Sequence, residues 1–430
     1  MASTTITKAS YSFNRRKFTI SCWIKRAALG SQGIINIYLN SNNYSVLEFN
    51  SSDQLIFKNR GNSTTNAEVV TDAQFRDIHG WYHIVLRVDT FDATSNNRVR
   101  LYVNGVQQTN LATNTQPSQD GYMEIGQSTT HTIGAGVSGG YWDGCISHFH
   151  ITDGYSYGAD SFGSTDSITG EWNIKTSPSV TYGSGGTFIL KDGNSVTDQS
   201  GNSNNWTVAT GTLSKTEDCP SNVFCTMNPL NPKGNVSYSN GNNVIDVADN
   251  NNSAGTIGVN SGKYYYEVKQ VNTVANGWIG EGNINSLGSN LNGEGSGWLS
   301  FSNLHGTIYY NGNSDTTPSA GSNNDIIGCA VDFDNGKIYW HQNGTYISTT
   351  GGQQNPTTEA NPITFTTGND FWFPVVGSYS SSPTAQLNFG NGFFGTTAVS
   401  SAGTNASNNG IFEYDVPAGY TALSTKGLNL

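Results

Sequence analysis

Lysine and arginine are scarce in this chain: 20 among 430 residues, against 31 aspartates and glutamates, for a net charge of −11. Binding to a phosphate backbone needs a basic patch that displaces counterions. The one local exception is Asn14-Arg15-Arg16-Lys17, which reads as a solvated approach to a strand. Nucleic acid is therefore not an expected partner. Charged residues of both signs make up 12%, about half the usual share of roughly 25%. No apolar run approaches the ~20 residues of a membrane span, so no membrane insertion is expected. Helical periodicity is nearly absent, and the best short helix candidate is 157–162. Heptads and solenoid repeats are missing as well, so the chain does not itself build a long shaft. Its first residues lack the apolar stretch of a secretory signal, and no export is expected. Cysteine is sparse and odd in number: Cys22, Cys145, Cys219, Cys225 and Cys329. Cys22, Cys145 and Cys329 sit in apolar strand patterns and read as small buried hydrophobes. Cys219 and Cys225 form the only close pair and could close a loop disulfide, which spacing alone does not decide.

What is abundant points to β-structure. There are 51 glycines, and aromatics reach 11%, enough for two sizeable cores in a chain of this length. Phe18–Ile24 alternates cleanly. Ser45–Phe49 and Gln54–Lys58 flank a turn, and Gly80–Asp89 is a long central strand. Asn-Gly at 104–105, 335–336 and 343–344 interrupts alternating stretches. The pair favours type I′ hairpins, in which both central residues take φ > 0. Further strands are expected at Tyr122–Gly126, Gly144–Thr152, Gly185–Lys191 and Asn205–Ala209. In the second half they are expected at Gly262–Val268, Gly277–Gly280, Asp325–Trp340, Phe371–Val376 and Ala385–Gly390. The expected fold is all-β, two concanavalin-like antiparallel β-sandwiches (jelly rolls) in tandem. Their boundaries are 1–212 and 234–430, with a linker at 213–233 stiffened by Pro220, Pro229 and Pro232.

Phe18–Ile24, the run Trp81 to Arg87 with Tyr102 to Gly105, and Trp142 to Ile146 resemble the laminin-G-like branch of the concanavalin-like jelly rolls. Tyr265-Tyr-Glu-Val268, Asp332-Phe-Asp-Asn-Gly-Lys337 and Leu387-Asn-Phe-Gly390 resemble the SPRY domain. The connecting segment, with Phe162 to Trp172, Asp198 to Trp206 and Cys219 to Leu230, resembles a two-domain virion protein of tailed, cyanophage-like phages. That last resemblance implies a place on the virion surface and implies no known ligand.

Chemistry is thinly marked. Jelly-roll glycosidases place carboxylates at alternate positions of one strand, so that the pleat aims them into one cleft. No such run occurs. Glu281 and Glu294 lie in Gly-rich stretches without partners, and Asp332 and Asp334 share a face but immediately precede Asn335-Gly336, as turn residues do. No enzyme is expected. An EF-hand loop starting at Asp332 fails, because Gly336 and Asn343 fall where Gly and Glu are required one place later and at the end. Laminin-G-like domains often hold calcium at a loop rim; Asp89, Asp92 and Asp143 could serve a structural calcium, and no other cofactor is expected. His148 and His150 have a chelating spacing without a third ligand, and read as strand histidines, half-buried or facing solvent. Trp298, Tyr309, Tyr310 and Tyr379 are candidate loop aromatics for stacking on sugars.

The leading expectation is a non-enzymatic virion surface protein, a tail fibre, appendage or head decoration. It would contact a host cell-surface glycan or protein through sandwich-end loops, with other virion proteins as partners and a homo-oligomeric state. The alternatives are a purely structural capsid- or tail-stabilising protein, and a cellular lectin or SPRY-type binding module.

Overall fold

The structure, a computed structural model, describes residues 4–137, 140–191, 195–272, 277–287, 297–310, 312–316 and 320–430. The chain divides into two units, Met1–Lys215 and Thr216–Leu430. Both are β-sandwiches, and the described residues contain no α-helix.

In the first unit, strand Lys17–Arg26 sends Phe18, Ile20, Cys22 and Ile24 into the core. It is central in a six-stranded sheet ordered Thr187–Ile189, Gly144–Asp153, Lys17–Arg26, Tyr82–Asp89, Val99–Val103, Val106–Gln107. An eight-stranded sheet supplies the other wall, ordered Leu111–Thr115, Thr64–Gln74, Gln54–Gly61, Asn43–Phe49, Gln32–Asn40, Thr129–Ile133, Thr5–Tyr11, Thr207–Thr210. From it Ile35, Ile37, Leu47, Phe49 and Phe57 meet the same core.

The six-stranded sheet is buried on its second face too. There Thr19, Ser21, Trp23, His83 and His150 lie under the chain between Tyr155 and Phe188. Tyr155 and Tyr157 bond to the hydroxyls of Thr19 and Thr152 through their backbone. The Trp172 indole N–H donates to His83 Nδ1 at 3.0 Å. Nε2 of His83 therefore carries the proton and donates to Ser21 Oγ at 2.8 Å. A period-2 pattern shows that one face is buried; it cannot show that a distant segment covers the other.

In the second unit, a nine-stranded sheet runs Val236–Ser239, Val244–Val247, Thr384–Asn388, Lys263–Gln270, Ile326–Asp332, Lys337–Gln342, Thr345–Tyr346. Two short strands join it: Ile363–Thr364 beside Lys337–Gln342, and Thr421–Ala422 parallel to Lys263–Gln270. It faces a six-stranded sheet ordered Asn252–Ala254, Trp372–Ser378, Gly277–Asn283, Trp298–Ser302, Thr307–Tyr310, Asn313–Thr316. Tyr266, Val268, Cys329, Val331, Trp340, Ile279, Phe301 and Val376 form the core between them.

Two of the three Asn-Gly turns are of the expected type: Asn104 and Gly105 have φ of 48° and 81°, Asn343 and Gly344 have 50° and 81°. The third is not. Between Asp332 and Lys337 only Gly336 has positive φ, because both carboxylate oxygens of Asp332 hold Asn335, through its backbone N and its amide. A Cβ on Gly105 would lie 2.5 Å from the Trp172 ring. Gly105→Ala is therefore expected to destabilise the first unit by at least about 1 kcal/mol, read as a lowered urea midpoint.

Three other expectations change. Tyr122–Gly126 is not a strand, although Met123 and Ile125 do alternate into the core. Its amides go to Arg15 O, Asn59 Oδ1, Ser45 Oγ and His131 Nε2 instead of a ladder. The helix expected at 157–162 is a single 3₁₀ turn, Ala159–Ser161. The stretch 213–233 is not a bare linker: Phe224, Cys225 and Met227 are buried in the second unit, and Cys225 N donates to Leu423 O at 3.0 Å.

Candidate functional site

The expected site residues do not converge. Trp298, 1% exposed, lies across Gly282, whose added Cβ would meet its ring at 2.4 Å, and packs with Ala254 and Val375. It is a core residue, not a stacking platform. Register places Tyr309 on the same sheet face, edge-on to Trp278 with centroids 4.5 Å apart. Tyr310 points to the opposite face and packs on the main core. Tyr379 follows strand Trp372–Ser378 and is exposed.

The calcium candidates are also separated. Asp89 pairs with Lys17 at one end of strand Lys17–Arg26, and Asp143 O receives Ala27 N at the other. Ten residues of strand place these ends ~30 Å apart. Asp92 caps Thr94 N instead. No cluster of three or more metal-ligating side chains occurs among the described residues.

Cys219 and Cys225 form no disulfide; Cys225 is buried in the second unit, and Cys219 contacts Ser221 Oγ. Asp332 binds Lys263 at 2.8 Å, and Asp334 accepts Gly262 N, so both serve the hairpin. His148 occupies a bulge with φ 47°, and it and His150 are both buried. Neither is the half-exposed strand histidine the spacing suggests, because Phe188 and Tyr182 cover them. Glu281 is buried in the sandwich, where desolvation raises its carboxyl to about 8; Glu294 lies outside the described residues.

One concavity among the described residues is marked by no sequence signal. It is a groove of about 600 Å³ in the second unit, walled by Tyr346, Thr357, Thr404, Asn405, Asp415 and Pro417. Its two sides come from chain segments roughly sixty residues apart. The Asn343-Gly344 turn projects Tyr346 from the sheet edge. The other wall is held by a buried carboxylate: Glu267 accepts Tyr414 N at 2.8 Å, Glu413 N at 2.9 Å, Tyr265 OH at 3.0 Å and Asn388 Nδ2 at 3.2 Å. Burial raises this carboxyl to about 7, despite the opposing donors from Glu413 and Tyr414. Tyr265 OH in turn receives His341 Nε2–H at 2.6 Å, since His341 Nδ1 accepts from Gly344 N at 3.1 Å. One relay of hydrogen bonds thus ties the Tyr346 turn to the Asp415 wall.

Within the groove, Asp415 Oδ1 accepts the Thr404 N–H at 2.6 Å and its hydroxyl at 2.8 Å, which hold its carboxyl below the usual range. The Tyr346 hydroxyl is buried and has no hydrogen-bond partner among the described residues. An aromatic wall, a carboxylate, an amide and hydroxyls around an open groove suit a polyol: ring C–H faces stack, and hydroxyls bond the polar groups.

Comparison with known proteins agrees with this architecture. Residues 2–156 match the laminin-G-like family described as the concanavalin A-like lectin/glucanases superfamily, and residues 263–391 match the SPRY domain. No curated protein matches the chain. Among solved structures, the SPRY domain of human HERC1 is 18% identical, covering 37% of this chain and 96% of its own, with TM-score 0.31. The TRIM65 PSpry domain is 12% identical, covering 38% and 91%, TM-score 0.30. The heptameric pentraxin of Limulus polyphemus is 18% identical, covering 36% and 71%, TM-score 0.27. The chain thus carries a laminin-G-like, concanavalin-type sandwich followed by a SPRY domain.

Proposed function

We propose that this protein is a non-enzymatic adhesin of a virion surface, and that its second sandwich takes a glycan in the Tyr346–Asp415 groove. The observation that carries the binding reading is the groove itself, rigidly built and lined by the groups that sugars use. The virion placement is supported by composition: a surface poor in charge and rich in Gly, Asn, Ser and Thr. The other virion proteins and a host surface are then its partners.

The test is binding of the purified, labelled full chain to host cells and to a glycan array. Saturable, sugar-blockable binding is expected, reduced at least about tenfold in Tyr346→Ala and Asp415→Asn, a loss of ~1.4 kcal/mol. Asp415→Asn should leave the thermal midpoint nearly unchanged, since the side chain is exposed. A folded protein that binds no glycan and no cell would remove the adhesin reading and leave the structural, particle-stabilising one. Detection of the chain in purified particles checks the placement separately.

A further inference from the structure

We propose a second carbohydrate site, in the first unit, that takes the carboxylate of an acidic sugar on the Arg16 guanidinium between Phe91 and Tyr122. It is independent of the groove: it lies in the other unit and selects charge.

The Arg16 Cζ lies 4.5 Å from the Phe91 ring centroid and 4.8 Å from that of Tyr122. Both rings are open to solvent, Phe91 at 41% and Tyr122 at 55% exposure. The backbone holds all three in place. Arg16 O accepts Thr90 N at 2.8 Å, Arg16 N donates to Asn14 Oδ1 at 2.9 Å, and Arg15 O accepts Met123 N at 3.0 Å.

The flanking cations are already engaged. Arg15 pairs with Glu124 at 3.5 Å and donates to Met123 O; Lys17 pairs with Asp89 at 3.1 Å. The Arg16 guanidinium has no ion pair and no hydrogen bond among the described residues. The rings lie close to its Cζ, and its N–H groups are left to a ligand. Their planar edge matches a carboxylate in bidentate fashion, and stacking pre-orders the fork. The parts of the rings left open beside it suit the C–H face of a pyranose, with the Arg15 Cζ also 5.5 Å from the Tyr122 centroid. One oriented guanidinium is not a counterion-releasing patch, so a nucleic acid is not the ligand favoured. A uronic acid and a sialic acid share the required chemistry, a carboxylate on a sugar ring.

The experiment measures binding of the full chain to polygalacturonate and, separately, to polysialic acid, with dextran as the neutral control. At least one acidic polymer is expected to bind above dextran, more weakly at high salt. Which one binds identifies the source of the carboxylate. Arg16→Ala should lower that affinity at least about tenfold. Arg16→Lys should also lose most of it, because an ammonium has no fork. Lys215→Ala, an exposed control that removes the same charge, should leave it unchanged. Equal binding to dextran overturns the proposal, as does an effect of Lys215→Ala matching that of Arg16→Ala.

Discussion

Arg26→Ala is expected to destabilise the first unit by about 3–5 kcal/mol, the range for breaking one side of a buried ion pair. The Arg26 side chain is fully buried at the end of strand Lys17–Arg26. Its guanidinium donates to Gln32 Oε1 (3.1 Å), Phe75 O (2.6 Å), Gly30 O (2.9 Å) and Asp53 Oδ1 (3.0 Å), and it lies 4.4 Å over the Phe49 ring. Asp53, itself buried with φ 62°, also receives Gly30 N and Arg76 Nε. Burial alone would raise its carboxyl, but the Gly30 N–H and the Arg76 and Arg26 guanidiniums outweigh it and hold it low. Removing Arg26 takes the guanidinium donor from the Phe75 and Gly30 carbonyls and the Gln32 amide oxygen, and takes from Asp53 one donor besides those of Gly30 and Arg76. Arg26→Lys should recover only part, because one ammonium cannot reach four acceptors in a plane. The Arg26→Ala, Asp53→Ala double variant should cost less than the sum of the singles. Urea unfolding monitored unit by unit by hydrogen exchange checks this. A loss below about 1 kcal/mol would mean the network is ornamental.

The second large effect is acid sensitivity of the first unit. Burial depresses His83 to about 3 and His131 to about 4, and drives His150 well below its ordinary value, with His148, His83 and Lys191 adding in the same direction. The hydrogen bonds require the neutral forms. His83 Nδ1 accepts from Trp172. His131 Nε2 accepts Gly126 N at 2.9 Å while its Nδ1–H donates to Thr129 O. A proton on either acceptor nitrogen would face an N–H.

These folded-state values lie below the unfolded histidine value near 6.5, so the unfolded chain binds more protons as pH falls. The stabilisation is complete above pH ~6.5 and lost progressively below it. By pH 5.5, His83 and His131 each forfeit on the order of 1 kcal/mol, and His150 adds to the loss. That is a large part of a typical 5–15 kcal/mol. Glu48 and Asp143, raised by burial, work the other way and reduce the net.

The second unit should behave differently. Glu281 and Glu267, raised to about 8 and 7, take up protons in the folded state as pH falls, and offset His341, depressed to about 3. Hydrogen exchange at pH 7.5 and 5.5, corrected for intrinsic rates, should show protection falling in residues 4–215 and holding in 216–430. Equal changes in both units would contradict the neutral-histidine account.

Much of the fold is legible in the residues themselves. The alternation of Phe18, Ile20, Cys22 and Ile24, or of Tyr264, Tyr266 and Val268, is set by the pleat of a single strand. Asn-Gly at 104 and 343 needs only local φ > 0. The sites are less legible. Met123 and Ile125 alternate like a strand, yet their amides go to side chains of other strands. Trp298 looks like a free aromatic until Gly282 opens a place for its ring. Tyr346 and Asp415 meet only because Glu267, more than a hundred residues upstream of the second wall, binds the Glu413 and Tyr414 amides. The sequence by itself determined two antiparallel sandwiches, where their strands run, and the sparse, acidic surface, because periodicity and composition act over a few neighbouring residues. Only the tertiary structure decided which second faces are covered, which histidines and carboxyls lose their water, and which polar groups line a groove, because those depend on contacts between segments that no local pattern connects.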